Sequence, residues 1–197
     1  MSRVADLLKH SESFSGYMHG YVALLNDALS NITPESLQAT VAALNQTRHA
    51  HGDIYIAGNG GSTAAAMHWA NDLISIKCRP AFRAHALSAN ASVLTCIGND
   101  IGFSQTFSEQ LAGRVRAIDL VILISASGSS PNLLLAAQTA QSEGARVISV
   151  VGFDGGALQS CSDIVIHIPT SVGDYGIAED GHLAVAHMVS NYLRHTT

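Results

Sequence analysis

The residues best suited to chemistry are two loops rich in glycine and serine and two helix-spaced pairs of histidine and carboxylate. The first loop, Gly58-Asn59-Gly60-Gly61-Ser62, lies between an apolar run and a helical stretch. Glycines there let the backbone approach an anion closely, while the free N–H groups of the following helix point at it. No lysine follows, so this is not a nucleotide-binding P-loop, and the third glycine of a dinucleotide fingerprint is absent. The second loop, Ser125-Ala126-Ser127-Gly128-Ser129-Ser130-Pro131, has the same setting, with Ser130 suited to an N-cap and Pro131 to the first helical position. Two such loops point to a phosphorylated small molecule gripped by hydroxyls and backbone rather than by cationic side chains. On the helical stretches, His68 and Asp72 are four apart and share a face. Glu179 and His187 fall within about 80° of one another around a helix. Two imidazoles and two carboxylates suit a divalent metal such as zinc, or a proton-transfer site. Asp180 and His182 are equally eligible members of the second pair.

These residues must be positioned by an alternating pattern. Short β-branched runs, Ile54 to Ala57, Phe82 to Leu87, Leu120 to Ser125, Val147 to Val151 and Ile164 to Ile168, are separated by segments that can each hold a helix. The pattern predicts an α/β fold: a doubly wound, five-stranded parallel sheet flanked by helices, with ligands beyond the carboxyl ends of the strands. Before the first strand the pattern is helical from residue 5 to about 50, and Thr33-Pro34 marks a break, so two helices in an N-terminal hairpin are expected. The chain reads as a single domain over 1–197, with N-terminal helices over 1–50 and an α/β core over 52–197. Rich in Tyr and Leu and poor in charge, the hairpin is expected in a subunit interface, with cover of the domain's own sheet the equal alternative.

Composition excludes other classes. The 197 residues are 47% hydrophobic and 13% charged, which suits one folded core and rules out disorder. Ten Lys and Arg against fifteen Asp and Glu leave no positive excess to attract a phosphate backbone, so no direct nucleic-acid partner is expected. No apolar run reaches the roughly 20 residues of a bilayer helix and the start does not read as a secretory signal, so no membrane association is expected. Cys78, Cys96 and Cys161 are widely spaced and form no CxxC pair, which suits a reducing compartment, and the expected location is the cytoplasm.

Taken in order, GNGGS, AMHWANDL, GNDIGF, ISASGSS and AEDGHLAVAH resemble the sugar isomerase (SIS) domain, and their spacing is similar to that of the phosphoheptose isomerase family. The resemblance covers nearly the whole chain. It implies a ketose–aldose isomerase of heptose biosynthesis that converts sedoheptulose 7-phosphate to D-glycero-D-manno-heptose 7-phosphate by a metal-assisted enediol(ate) mechanism. It also implies a cytoplasmic homotetramer with active sites between subunits and one Zn²⁺ per subunit. By motif, Asn59, Gly60, Gly61, Ser62, Ser125, Ala126, Ser127 and Ser130 line the phosphate, while Asn99 and Asp100 reach the sugar. His68, Asp72, Glu179 and His187 take the metal positions, with His187, Asp72 and Glu179 also catalytic and Asp72 and Glu179 touching substrate. This preference sets aside Asp180 and His182.

The chain departs from the family pattern in several places. Asp72 replaces a Glu, Glu179 a Gln and Ala126 a Thr, and arginines near Ile76 and Ile177 are missing, although Lys77 adjoins the first. A second carboxylate adds charge that a cation would balance, so the exchanges are expected to strengthen zinc binding. Isomerisation of another phosphosugar, ligand sensing without turnover, or a binding module resembling the DnaA initiator-associating protein are the alternatives. Two retained imidazoles favour the enzyme.

Overall fold

A computed structural model describes residues 2–197. Five strands, β1 (Ile54–Gly58), β2 (Ala84–Ala86), β3 (Leu120–Ser125), β4 (Arg146–Val151) and β5 (Ile164–His167), form one sheet in the order β2-β1-β3-β4-β5. Every neighbouring pair is parallel. Eight α-helices accompany them among the described residues: α1 (Arg3–His10), α2 (Phe14–Ser30), α3 (Pro34–His49), α4 (Gly61–Ser75), α5 (Ala91–Asp100), α6 (Ser108–Leu111), α7 (Pro131–Ser142) and α8 (Tyr175–Thr196).

Strand alternation sorts the apolar side chains into two cores. Ile54, Ile56, Leu120, Ile122, Ile124, Ile148, Val150 and Ile166 face one side, where they share a cluster with Trp69 and Leu73 of α4, Leu44 of α3 and Val185 and Leu193 of α8. Ala57, Val121, Leu123, Val147 and Val151 face the other, against Leu133, Ala136 and Ala140 of α7 and Leu111 of α6. A parallel strand covered on both faces is apolar without interruption, and all six residues of β3 are buried.

Three expectations change. Three helices, not two, precede β1, because Ser13 ends the α1 segment by capping α2 with a hydrogen bond from the Gly16 N–H. Thr33 occupies the N-cap of α3 as expected, but its hydroxyl makes no capping bond there. Between β4 and β5 a 3-10 helix, Ala157–Cys161, stands in for an α-helix, since the turn through Gly155 and Gly156, both at positive φ, consumes the available length.

At the amino ends of the strands, the buried Asp119 carboxylate accepts hydrogen bonds of 2.8 Å from the Asp53 N–H and of 2.8 Å from the Arg116 N–H. Burial pushes the Asp53 carboxyl up, but hydrogen bonds from Arg83 and His85 outweigh this and hold it below the usual range. That network pins the end of the sheet opposite the loops singled out above. No helix is long and apolar enough to cross a membrane among the described residues.

Ile122 is fully buried at the centre of the sheet. Truncation to alanine removes its packing and leaves a cavity, so Ile122→Ala should lower unfolding free energy by about 2–5 kcal/mol in urea titration, with an unchanged denaturant slope.

Candidate active site

The strand order places a topological switch point between β1 and β3, whose following segments depart to opposite faces of the sheet. The two serine- and glycine-rich loops leave the carboxyl ends of these two strands. In the first, a Cβ on Gly58 would lie 2.6 Å from the Ser62 carbonyl oxygen, so only glycine permits this tight entry into α4. In the second, Gly128 has φ +61° and packs so closely on the turn after β4 that a Cβ would fall 1.9 Å from the Gly155 oxygen. Paired amides join the loops: Asn59 Nδ2 donates to Asn132 Oδ1 and Asn132 Nδ2 to Asn59 Oδ1, each at 2.9 Å. Asn132, buried in the first turn of α7, also donates to Thr106 Oγ1 at 3.3 Å. The sequence gives no cue to this role, since an asparagine there reads only as a polar residue at a helix start.

The serines differ in commitment. Ser125 is buried and its Oγ accepts from the Gly128 N–H at 3.0 Å, while Ser127 Oγ accepts from the Ser129 N–H at 3.3 Å. Both keep their hydroxyl protons. Ser130 is the N-cap of α7, but its hydroxyl makes no capping bond and is free for a ligand. Ala126 packs with Phe153 and Ala178 in a small apolar cluster, so it can offer a ligand only its backbone. Asn99 and Asp100 end α5 on the exposed surface, where Asn99 Nδ2 donates to Asp100 Oδ1 at 2.7 Å and holds that carboxyl below the usual range. Among the described residues their side chains make no hydrogen bond to either loop.

Helices α4 and α8 run side by side in the same direction. Ser62 meets His182, His68 meets His187, and Ser75 meets Arg194. At the middle contact His187 Nε2 lies 2.9 Å from His68 Nε2, with the rings edge-to-face at 75°. Asp72 Oδ2 lies 3.5 Å from His68 Nε2 and 4.0 Å from His187 Nε2. The three donor atoms form one cluster open to solvent, with 45% of each imidazole side chain exposed.

Glu179, expected beside them, does not join this cluster. It stands about 12 Å before His187 along α8, at 1.5 Å per residue. Its carboxylate lies instead against Gly61, in the first turn of α4, where an added Cβ would fall 2.1 Å from Oε2. The other members of that stretch are accounted for. Asp180 accepts a hydrogen bond of 2.7 Å from the Tyr21 hydroxyl on α2, an arrangement that, together with burial, raises the Tyr21 pKa. His182 is fully buried, with Nδ1 3.3 Å from Ser62 Oγ.

Burial drives the His182 pKa down to about 4. Between that value and the ordinary 6.5, the unfolded chain binds a proton that the folded chain refuses, so this histidine costs stability as the pH falls. Between pH 7.5 and 5 the wild type should lose about 2 kcal/mol more unfolding free energy than His182→Leu, as measured by urea titration.

Comparison with known proteins agrees with the geometry. The SIS domain family matches residues 16–152. Phosphoheptose isomerase from Citrifermentans bemidjiense is 34% identical over 168 residues, which cover 84% of this chain and 86% of the relative. That from Trichlorobacter lovleyi is 40% identical over 143 residues, 71% of each protein. The structure of phosphoheptose isomerase from Neisseria gonorrhoeae superposes with a TM-score of 0.83 at 27% identity, covering 93% of this chain and 97% of the other. The Vibrio vulnificus NanR protein complexed with ManNAc-6P shares the fold alone, with a TM-score of 0.71 at 21% identity. Agreement over so much of the chain, in sequence and in backbone, means that this chain belongs to the phosphoheptose isomerase family of SIS-domain phosphosugar isomerases.

Proposed function

We propose that the protein interconverts sedoheptulose 7-phosphate and D-glycero-D-manno-heptose 7-phosphate in the cytoplasm. The observation that carries this reading is the His68–Asp72–His187 cluster, two of whose members share α4 with Ser62 while the third reaches it from α8. From Ser62 to His68 the rise along α4 is about 9 Å at 1.5 Å per residue. This is the reach of an extended six- or seven-carbon sugar phosphate from its phosphate to its carbonyl end. The phosphate binds at Ser62, Ser125, Ser127 and Ser130, with Asn59, Gly60, Gly61 and the backbone of Ala126 around it. Binding at this remote end supplies the energy that positions the reacting carbons.

Isomerisation moves one proton between adjacent carbons and one between their oxygens, through an enediol(ate), with no outside oxidant or reductant. His68, Asp72 and His187 fit a divalent ion. Two ligands about 2.05 Å from a tetrahedral zinc stand roughly 3.3 Å apart, and the separations here are 2.9, 3.5 and 4.0 Å. One Zn²⁺ per subunit, held by these three, would polarise the substrate carbonyl and stabilise the enediolate oxygen. His187 carries the proton while its Nε2 is free. With that atom committed as a ligand, the role passes to Asp72, whose carboxylate keeps a second oxygen beside the cluster, while Glu179 stands at the Gly61 end of the site. Untagged protein should contain zinc near one equivalent by elemental analysis and turn over sedoheptulose 7-phosphate, and chelation should remove both. Full turnover in metal-free protein would overturn the zinc assignment.

The homotetramer implied by the family is also proposed here. Phe14, Met18 and Val22 form an exposed apolar stripe along α2, and Leu37, Val41, Met188 and Tyr192 line a groove of about 550 Å³. Such surface is stable in water when covered by further copies. Light scattering should show a tetramer for the wild type and smaller species for Val22→Glu. A Val22→Glu tetramer would exclude this stripe from the interface.

A further inference from the structure

Beneath the Ser62 loop lies a histidine that the proposed chemistry does not use. His182 has no exposed surface, and its Nε2 has no hydrogen-bond partner. Its Nδ1 faces Ser62 Oγ at 3.3 Å, the hydrogen bond found for that hydroxyl among the described residues. The imidazole is neutral at neutral pH because burial penalises its charged form. A neutral ring carries one N–H and one lone-pair nitrogen, so two arrangements are available.

With the proton on Nε2, a buried N–H would be left unpaired, and Nδ1 would consume the one proton that Ser62 can donate. With the proton on Nδ1, the ring donates to Ser62 Oγ and leaves only a lone pair without a partner. Orphaned buried N–H groups are the rarer and costlier of the two. The Nδ1–H form is therefore favoured, and it fixes the direction of the Ser62 hydroxyl. Oγ accepts from below, and its own proton is free to point away from the ring at the N-terminus of α4. Reversing the bond would turn the Ser62 lone pairs toward an arriving anion.

We infer that His182 is a positioning residue for phosphate binding: its Nδ1–H holds Ser62 so that the Ser62 hydroxyl presents its proton to a phosphate oxygen. The inference rests on the phosphosugar reading above and adds to it a residue that touches neither substrate nor metal. It explains why a buried polar ring occupies an α8 position facing a helix packed with alanine and tryptophan, where a leucine would satisfy the core.

The test is a double-mutant cycle with inorganic phosphate as the probe, together with KM and kcat for sedoheptulose 7-phosphate. Ser62→Ala should weaken phosphate binding about tenfold or more, the range for a hydrogen bond to a charged group. His182→Leu should weaken it several-fold, raising KM with little change in kcat. His182→Asn, which keeps an N–H near the Nδ1 position, should restore binding to within about twofold of wild type. The double variant Ser62→Ala/His182→Leu should bind no more weakly than Ser62→Ala alone. Wild-type affinity in His182→Leu, or full multiplication of the two effects in the double variant, overturns the inference while leaving the phosphate site intact. Equal phosphate affinity in wild type and Ser62→Ala overturns the phosphate reading itself. Imidazole ¹⁵N shifts of the folded wild type require no variant. A proton on Nδ1 of His182 supports the inference, and a proton on Nε2 overturns it.

Discussion

The register between α4 and α8 determines which side chains can act together. Three contacts along the pair, Ser62 with His182, His68 with His187 and Ser75 with Arg194, join residues 120, 119 and 119 positions apart. So constant an offset means two parallel helices that keep step over their shared length. A slip by one residue would rotate each side chain by about 100° and part the two histidines. Ala65, Ala66 and Ala70 on one helix and Val185, Ala186 and Val189 on the other enter the same core, with Trp69 and Leu73 fully buried beside them. Shape complementarity of this kind resists slippage because a shifted register would trade packed contacts for voids.

The sheet sets the second boundary of the site. Because β1 and β3 are neighbours while their following helices cover opposite faces, the loops after them open toward a common crevice. Asn59 and Asn132 tie the loops across that crevice, which holds the serines of one loop and the helix N-terminus of the other as one surface. Glu179 adds a carboxylate at the same place, against Gly61. An anion entering there meets hydroxyls and backbone donors on most sides and one negative charge, which favours a ligand with hydroxyl groups for that carboxylate to accept from.

Most of the architecture is legible in the sequence, and for a physical reason. Strands buried on both faces, such as Leu120–Ser125, are uninterrupted apolar runs, and Thr33-Pro34 and Ser130-Pro131 mark helix starts by fixing the backbone angle. The missed features depend on contacts distant in sequence. A hydroxyl at Ser13 opens α2 and separates it from α1, yet nothing in the run from 5 to 30 breaks the helical spacing enough to announce it. His68 and Asp72 are readable as a pair on one helix, but their closeness to His187 depends on how α8 docks. Helical spacing also gave Glu179, Asp180, His182 and His187 equal standing. Docking then sends them to four different environments: the α4 N-terminus, Tyr21, the interior under Ser62, and the open cluster.

The first turn of α1 is fastened to the far end of the sequence. The buried Asp174 carboxylate, at the start of α8, accepts hydrogen bonds from the Arg3 and Val4 N–H groups and from the Ser2 hydroxyl. An anion at a helix N-terminus is well placed, and this one serves α1 while anchoring the helix that carries His182 and His187. From that clasp, α8 runs about 33 Å to Thr196, at 1.5 Å per residue. The two ends of α8 are thus held unequally: its first turn is tied into α1 through one buried carboxylate, and its last turn stands a full helix length from that anchor.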